Sequence, residues 1–392
     1  MKKLAILGAS YLQRPLVKKA KEMGLQTHVF AWEEGNVVDD IADYYYPIDV
    51  VEKEKILNKC RNIGIDGVTS IASDIVMPTV NYIADKLGLV GNSMEATKVS
   101  TDKFKMRKAL SGAGLPCPKF AFYAESNFKK GSQFTFPVIV KPTDRSGSRG
   151  VTKVYDPKEV NGAIERALES SMNERAIVEE FIEGKELSVE MISYQGKHHF
   201  LAMTDKTTTG EPFFVEMGHQ QPAQINHSIK SKILGIVRNA LDILKIKNGA
   251  SHSEILLTQR EDIVIVEVAG RMGGDFIGSH LVYHTTGFDY VKAVIEIALG
   301  DFEMEDYKSD IENKAQVYFL TAKPGIVKKV KNMEHLFNDV LLAKPLVNEG
   351  DIIEGSIDSS NKRLGVVVCK NISHRGEFSP ASVLQIKTTN NL

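Results

Sequence analysis

The segment FPVIVKPTDRSGSRGV, residues 136–151, joins a short apolar run to a loop of small and charged residues. The β-branched run Phe136–Val140 predicts a buried strand, and Lys141 stands at the exit of that strand. The loop that follows can bring backbone N–H groups and hydroxyls close to anionic oxygens, because glycine permits close approach and unusual dihedral angles. A second strand pattern begins at Val151. The segment therefore predicts a hairpin that binds phosphate.

This loop differs from a Walker A loop, which needs GxxxxGK[S/T] running into a helix, since Lys141 precedes the glycines. A hairpin tip with a surface lysine explains the same residues about equally well, because glycine-rich loops recur in many folds. Support for phosphate binding must come from other parts of the chain.

The segment 249–274, GASHSEILLTQREDIVIVEVAGRMGG, carries two acidic residues on a second predicted hairpin. Its β-rich runs flank Gln259–Asp262, which has the composition of a hairpin connection. If those four residues form the loop, Glu254 and Glu267 face each other on one side of the sheet, where like charges repel. No lysine stands beside either carboxylate, so a divalent cation would relieve the repulsion, and oxygen ligands favour Mg²⁺ or Mn²⁺. A register shift that turns one glutamate to solvent is the alternative.

An arginine and a glycine turn follow this hairpin. Arg271 comes four residues after Glu267 and precedes Gly273 and Gly274. A cation next to a metal-bound carboxylate can neutralise charge that builds on a transferring phosphoryl group. An ordinary Arg–Glu salt bridge explains the same spacing.

The composition fits a globular protein with small ligands. A length of 392 residues predicts two or three domains at about 100–200 residues each. The net charge of −1 gives no reason to expect nucleic acid as a partner. The sequence contains no apolar run of 18 residues, so we expect no membrane partner. Cys60, Cys117 and Cys369 are isolated, which favours neither disulfides nor a structural zinc site. We expect a soluble cytoplasmic protein.

The amino-terminal region has the pattern of a βαβ unit. Leu4–Leu7, a turn with Gly8, a helical pattern over Leu12–Met23 and the run Gln26–Ala31 follow one another. The turn lacks the GxGxxG spacing, so dinucleotide binding is only weakly supported. Residues 1–95 thus predict an open parallel sheet, which the following further elements continue: helix Glu52–Asn62, strand Gly67–Ile71, helix Ile75–Leu87 and a short strand Gly88–Val90.

Two further strand-like runs lie in the middle of the chain, at Ala176–Phe181 and Glu186–Tyr194. The break between them can offer backbone groups to a purine edge, and a carboxylate past the turn can reach ribose hydroxyls. A plain β-turn explains the same residues. Lys103 follows the helix-cap pattern of Thr101 and Asp102, and a solvated helix lysine is its ordinary role.

Together these residues resemble one known family. In order, Lys103, VIVKP with SGSRGV, VEEFIEGKELSVE, SHSEI and EVAGRMGG resemble the ATP-grasp superfamily of carboxylate–amine ligases. The resemblance covers roughly residues 1–300. It implies an α/β fold in which a Rossmann-like parallel sheet (1–95) precedes α+β ATP-grasp lobes (96–305, with a lid at about 115–183), and a small α+β cap (306–392) completes the fold.

The resemblance also implies roles for individual residues. Lys103 and Lys141 would contact the nucleotide phosphates, and the loop Ser146–Gly150 would close over them. Glu254 and Glu267 would hold Mg²⁺, and Arg271 would stabilise an acyl phosphate and a tetrahedral intermediate. The residues expected to bind ATP are Lys103, Lys141, Ser146, Gly147, Ser148, Gly150, Glu179, Glu180, Phe181, Ile182 and Glu186.

One position departs from the family pattern. Many members continue the second acidic ligand as Glu-x-Asn, whereas this chain has Ala269, so the contact of that asparagine with a second Mg²⁺ is missing. The ending EVAGRMGG and the segment 214–223 are most similar to amino-acid ligases that make dipeptides. That similarity implies a substrate pocket lined by Glu216, His219, Arg271 and Gly274, although a loop position expected for His219 also fits a surface residue.

The resemblance implies a carboxylate substrate that attacks the γ-phosphate of ATP, and an amine that captures the resulting acyl phosphate. The expected partners are a small carboxylate and a small amine, and a homodimer is plausible from the open edge of the first sheet. A purine-pathway or carboxylating enzyme of the same superfamily and a noncatalytic nucleotide-binding module are the alternatives.

Overall fold

The computed structural model describes residues 1–129, 134–304, 313–355, 357–371 and 378–389. In those parts of the chain every helix is too short or too polar to cross a membrane.

The amino-terminal region forms a four-stranded parallel sheet in the order β3-β2-β1-β4. Its strands are β1 (Lys3–Leu7), β2 (Gln26–Ala31), β3 (Tyr44–Pro47) and β4 (Gly67–Thr69). The helices of this region are α1 (Arg14–Glu22), α2 (Lys53–Ile63) and α3 (Met77–Leu87). The parallel α/β opening predicted from the sequence is confirmed.

Two details of this region differ from the prediction. Strand β3 was not anticipated, because its tyrosine-rich sequence lies at the sheet edge and is only partly buried. The short strand predicted at Gly88–Val90 is wrong. Gly88 caps α3 in the left-handed conformation with φ 68°, and the N–H of Leu89 donates to the carbonyl of Ala84, so the chain closes the helix end instead of extending.

Two helices, α4 (Met94–Ser100) and α5 (Lys103–Gly112), lead into the next region. The predicted cap is confirmed, since the Asp102 carboxylate accepts a hydrogen bond of 3.1 Å from the N–H of Lys105. Met106 and Leu110 are buried in the core beneath the largest sheet. The cap therefore fixes the first turn of α5 and with it the backbone position of Lys103.

A four-stranded antiparallel sheet follows, which we call the lid sheet, in the order β5-β8-β6-β7. It consists of β5 (Phe120–Tyr123), β6 (Val138–Pro142), β7 (Thr152–Val154) and β8 (Ala176–Glu180), with α6 (Val160–Ser170) packed on one face. The hairpin predicted from residues 136–151 is the β6–β7 pair. Lys141 lies at the end of β6, as expected.

The largest sheet has eight strands in the order β13-β12-β9-β10-β11-β14-β18-β16. Its strands are β9 (Lys185–Tyr194), β10 (Lys197–Thr208), β11 (Glu216–Gln221), β12 (Gly249–Leu257), β13 (Ile263–Ala269), β14 (Ala315–Leu320), β16 (Val340–Pro345) and β18 (Gly365–Lys370). The associated helices are α7 (His227–Ile243), α8 (Val282–Thr286) and α9 (Tyr290–Leu299). A small sheet of β17 (Ile352–Ile353), β15 (Gly325–Asn332) and β19 (Leu384–Thr388), with α10 (Pro380–Val383), completes the described chain.

Alternation along the central strand β9 gives the large sheet two different faces. Leu187, Val189 and Met191 pack with residues of α7 in one hydrophobic core. Because successive side chains of a strand point to opposite faces, Glu186 and Glu190 lie on the other face. That polar face is where the candidate site forms.

The carboxyl-terminal strands β14, β16 and β18 belong to the same large sheet. The α+β class expected for this part is therefore confirmed. The boundary predicted between residues 305 and 306 lies outside the described residues, and the other domain limits remain predictions.

Candidate functional site

A single cavity of ≈ 1510 Å³ lies where the amino-terminal sheet, the lid sheet and the polar face of the large sheet meet. It brings together residues that are far apart in the sequence. Of the residues singled out from the sequence, Gly150 and His219 do not line it. Those that do are Lys103, Lys141, Ser146, Gly147, Ser148, Glu179, Glu180, Phe181, Ile182, Glu186, Glu216, Glu254, Glu267, Arg271 and Gly274.

The glycine-rich loop between β6 and β7 spans one side of the cavity. The hydroxyl of Ser148 donates to the carbonyl of Phe214 at 3.3 Å, and the N–H of Ser360 donates to the carbonyl of Gly147 at 3.3 Å. Gly150 supports the loop from behind, because its φ is +71° and a Cβ there would lie 2.8 Å from Ser170. The loop thus contacts the opposite wall of the cavity.

Glu179 on β8 holds two buried cations. Its carboxylate lies 2.6 Å from Nε of Arg107 and 2.7 Å from Nζ of Lys141. Burial alone would raise the pKa of Glu179, but the charges of Arg107 and Lys141 outweigh it and lower the pKa to about 2. Both carboxylate oxygens are therefore engaged, which leaves the backbone after Glu179 to meet a ligand.

The chain after β8 adds an aromatic wall to the cavity. The rings of Phe181 and Phe214 have centroids 5.9 Å apart, and Nζ of Lys153 lies 3.5 Å from the centroid of Phe181. The N–H of Phe181 donates to the carbonyl of Pro137 at 3.2 Å, which fixes this segment against the lid sheet. A flat, partly apolar ring fits such a wall.

The two acidic residues of the second hairpin are directly paired. Glu254 of β12 is the Cα partner of Glu267 on β13, as predicted. The predicted hairpin geometry is wrong in two details, whose effects on the strand register cancel. The connection Thr258–Asp262 is one residue longer than expected, and a β-bulge at Val266 adds a residue to β13, so the pairing shifts back into place.

Each glutamate has a lysine partner, which contradicts the expectation that neither does. Nζ of Lys103 lies 2.9 Å from Glu267 and 2.8 Å from the carbonyl of Arg145. Nζ of Lys206 lies 2.6 Å from Glu254. The lysines come from α5 and β10, so spacing within the hairpin could not reveal them.

Lys206 is the centre of a cage of carboxylates. Besides Glu254, its ammonium group contacts Glu186 at 2.8 Å and Glu216. Burial would lower the pKa of Lys206, but the surrounding carboxylates raise it well above its ordinary value. No pattern in the sequence singled out this residue, because the run Thr204–Thr208 is polar throughout.

His252 lies beside this cage. Its Nδ1 is 2.5 Å from Oε1 of Glu190, and its Nε2 is 3.4 Å from Oε1 of Glu254. Burial would lower the pKa of His252, but the carboxylates of Glu190 and Glu254 raise it to about 10. Neither His252 nor Glu190 was singled out from the sequence, although both alternate in step with acidic residues on their strands.

Arg271 lies just after the β12–β13 hairpin. Its Nε and Nη2 lie 2.8 and 2.6 Å from the two carboxylate oxygens of Asp74, which follows strand β4 of the amino-terminal sheet. Burial would lower the pKa of Arg271, but Asp74 raises it above its ordinary value. The alternative considered from the sequence, an Arg–Glu salt bridge at this residue, does not form among the described residues; Arg271 makes a bidentate pair with Asp74 instead.

A second arginine–aspartate pair lies further along the cavity. Arg363 makes contacts of 2.6 and 2.8 Å with Asp275, and both residues line the cavity. His219 is in strand β11 and not in a loop, so the predicted loop position is wrong. Its Nε2 lies 3.5 Å from Asp275, which places the imidazole behind the cavity wall.

The turn after β1 also reaches the cavity, but its backbone donors are used internally. Ser10 donates through its N–H and its hydroxyl to Oε1 of Gln13, at 3.1 and 2.7 Å. The side chain of Gln13 fills the space beside Gly8 and also donates to the carbonyl of Ile71 at 2.8 Å. This plug agrees with the weak support for dinucleotide binding.

The residues present can be tested against a divalent cation. Among the described residues, Glu186, Glu216 and Glu254 place carboxylate oxygens within 4.8 Å of one another, and Glu216, His219 and Asp275 do the same with two carboxylate oxygens and a ring nitrogen. Lys206 neutralises the first group and Arg363 pairs with Asp275 of the second. Oxygen donors suit Mg²⁺ or Mn²⁺. Neither group includes Glu267, which pairs with Lys103. A cation between Glu254 and Glu267 requires that a bound polyanion draw Lys103 and Lys206 away from these glutamates.

Comparison with known proteins agrees with this geometry. Residues 134–279 match the family model described as an ATP-grasp domain. The chain is 27% identical over 245 residues to the alanine–anticapsin ligase of Bacillus subtilis (strain 168), covering 56% of this chain and 51% of that protein. The chain thus spans about half the length of this relative.

Two solved structures share the fold. An L-amino acid ligase from Bacillus licheniformis has a TM-score of 0.87 at 22% identity, with 100% of this chain and 99% of that chain covered. A phosphoribosylglycinamide synthetase from Anaerococcus prevotii has a TM-score of 0.79 at 23% identity, with 99% and 100% covered. This chain has the ATP-grasp fold and contains an ATP-grasp domain.

Proposed function

We propose that this chain is an ATP-dependent carboxylate–amine ligase. A substrate carboxylate attacks the γ-phosphate of ATP and forms an acyl phosphate and ADP; an amine then displaces phosphate and forms the C–N bond. The observation that carries the proposal is the convergence of Lys103, Lys141 and Lys206 with the opposed pair Glu254 and Glu267 in one cavity.

The nucleotide end of the cavity supports ATP as the phosphoryl donor. Lys141 and the loop Ser146–Gly150 supply a cation and small residues for the phosphates, and Phe181 supplies a surface against which a purine packs. We assign the adenine edge to the backbone of Glu180–Ile182, because the carboxylate of Glu179 is held by Arg107 and Lys141. Glu186 lies beyond this segment, where it can accept from ribose hydroxyls.

The lysines and glutamates define how the phosphates are held. Lys103 and Lys206 would transfer from carboxylates to phosphate oxygens when ATP enters, which frees Glu254 and Glu267 for Mg²⁺. When bound, Mg²⁺ neutralises charge on the phosphates of ATP. With or without ATP, each buried charge would thus have a partner of opposite charge. This matters because an uncompensated buried charge is costly.

The far end of the cavity supports a small polar substrate. Arg271 presents a guanidinium group beside the opposed glutamates, where it can neutralise an acyl phosphate and the oxyanion that forms on amine attack. Glu216, Gly274 and Asp275 line the adjoining space, and His219 contacts Asp275. The likeness to alanine–anticapsin ligase supports an amino acid as one substrate. A homodimer remains a prediction.

The test is release of ADP and phosphate from ATP and Mg²⁺, with amino acids added singly and in pairs. We expect release that depends on a carboxylate together with an amine, and its loss in Glu267→Gln. Glu261→Gln in the exposed turn of the same hairpin is the matched control. Release that requires bicarbonate or a ribosyl amine would favour the other ATP-grasp enzymes, and nucleotide binding without any turnover would favour a noncatalytic module.

A further inference from the structure

His252 occupies the position across the sheet from Ala269. The two residues are Cα partners on β12 and β13, one pairing step beyond Ser253 and Val268. Because side chains alternate along a strand, His252 projects from the same face as Glu254 two residues later. Ala269 offers no ligand atom to a cation bound at Glu254 and Glu267. His252 therefore faces a short side chain, and the space that a longer residue at position 269 would fill is open to its imidazole.

The orientation of the imidazole is fixed by a buried carboxylate. Glu190 is fully buried, and its Oε1 lies 2.5 Å from Nδ1 of His252. Glu190 is itself held by the N–H of Gly273 at 3.2 Å. This leaves Nε2 of His252 directed toward the cavity, 3.4 Å from Oε1 of Glu254. A carboxylate on one ring nitrogen with the other nitrogen turned to a metal is the usual arrangement around histidine ligands.

We propose that Nε2 of His252 is a ligand of the divalent cation held by Glu254 and Glu267, in place of the contact that Ala269 cannot make. The inference rests on the metal site of the proposed function. In this arrangement Nε2 of His252 would face the cation, and Glu190 would hold the ring through Nδ1. A mixed nitrogen and oxygen ligand set favours Mn²⁺ over Mg²⁺, because imidazole suits transition metals better than Mg²⁺.

The alternative is that His252 stays outside the metal shell. If both ring nitrogens of His252 stay hydrogen-bonded to Glu190 and Glu254, no nitrogen enters the metal shell. The two arrangements predict different magnetic surroundings for a bound Mn²⁺ ion, which can be measured without turnover.

The experiment uses the full chain with Mn²⁺ and ADP, prepared once unlabelled and once with ¹⁵N-histidine. Pulsed EPR should show modulation from a directly bonded nitrogen, and its frequency should change with the label. The label excludes adenine as the source of the nitrogen and requires no substitution, so a folding defect cannot obscure the result. Bound Mn²⁺ without histidine modulation would overturn the proposal for His252, whereas failure to bind Mn²⁺ would overturn the metal site as a whole.

Variants test the same arrangement through affinity. We expect His252→Gln to lose the modulation and the preference for Mn²⁺ over Mg²⁺ in titrations. Glu190→Gln should weaken Mn²⁺ binding by about 10- to 100-fold, the usual effect of removing a partner that orients a ligand. His199→Gln on β10, whose side chain does not line the cavity, is the matched control and should leave both readouts unchanged. Equal Mn²⁺ affinity in wild type and in both site variants would contradict the assignment.

Discussion

Glu254 and Glu267 face each other across β12 and β13 because Val266 is an extra residue in β13. On the turn side of the bulge, Ile263 and Ile265 pack into the core, and on the far side Val268 does so. With unbroken alternation Glu267 would follow Ile265 onto the apolar face. The bulge therefore turns one carboxylate from the core to the cavity, and Arg107 fixes it by donating to the carbonyl of Val266.

Deletion of Val266 should leave the two carboxylates opposed. In the shortened strand Ile265 stays opposite Ile255, and Glu267 takes the next pairing position, opposite Glu254, where regular alternation directs it toward the cavity. We therefore expect nucleotide-dependent Mn²⁺ binding to be retained, measured by EPR titration. Val266→Ala keeps the residue count and should also bind Mn²⁺ as wild type does. Loss of Mn²⁺ binding in the deletion variant alone would show that the bulge itself is needed to hold the two glutamates in place.

Replacement of Arg107 should destabilise the fold. Arg107 is fully buried and pairs with Glu179, so Arg107→Met leaves this buried carboxylate with Lys141 as its remaining cation. We expect the free energy of unfolding to fall by about 3 kcal/mol, as for other broken buried ion pairs. Urea unfolding measures the change. Lys108→Met, exposed on the same helix, should change stability by less than about 0.5 kcal/mol. Equal effects of the two substitutions would contradict the role assigned to Arg107.

The parts of this structure that could be predicted are those encoded by local patterns. The parallel sheet followed from the alternation of strand and helix signals, and the β6–β7 hairpin followed from an apolar run that ends at Lys141. The pairing of Glu254 with Glu267 was predicted correctly, but only because the longer turn and the bulge at Val266 offset each other. Neither feature has a marker in the sequence that separates it from an ordinary strand.

The parts that could not be predicted depend on contacts between distant strands. Lys206 on β10 pairs with Glu254 on β12 across the face of strand β9, which lies between them. Arg271 pairs with Asp74, which belongs to the region of a different sheet. Strand order is a tertiary property, so residue spacing carries no record of these pairs. The loop expected at His219 failed for the same reason, because pairing of β11 with β10 and β14 overrides the glycine before it.

Replacement of the guanidinium group of Arg271, which makes two hydrogen bonds to Asp74, should slow catalysis. Arg271→Lys keeps the positive charge but cannot make two parallel hydrogen bonds to Asp74, so the cation is no longer held beside the opposed glutamates. We expect the rate of phosphate release to fall by about 100-fold, comparable with loss of one preorganised donor to a developing charge. Asp74→Asn should act in the same direction.

Arg260→Lys in the exposed hairpin turn is the control for charge and side-chain length, and it should leave the rate of phosphate release unchanged. An Arg271→Lys enzyme with the wild-type rate would contradict a role for this group in stabilising the reacting phosphate.

His280 should make folding stability depend on pH. Burial, with smaller contributions from the charges of His284 and Lys18, lowers the pKa of His280 from 6.5 to about 4. Between those values the unfolded chain binds a proton that the folded chain does not, so stability falls as pH decreases from 6.5 to 4. The loss approaches about 3 kcal/mol at the lower limit. We expect His280→Gln to flatten this part of the profile in urea unfolding at a series of pH values, and His335→Gln, exposed on the surface, to leave it unchanged. A His280→Gln profile as steep as that of wild type would assign the acid sensitivity to other groups.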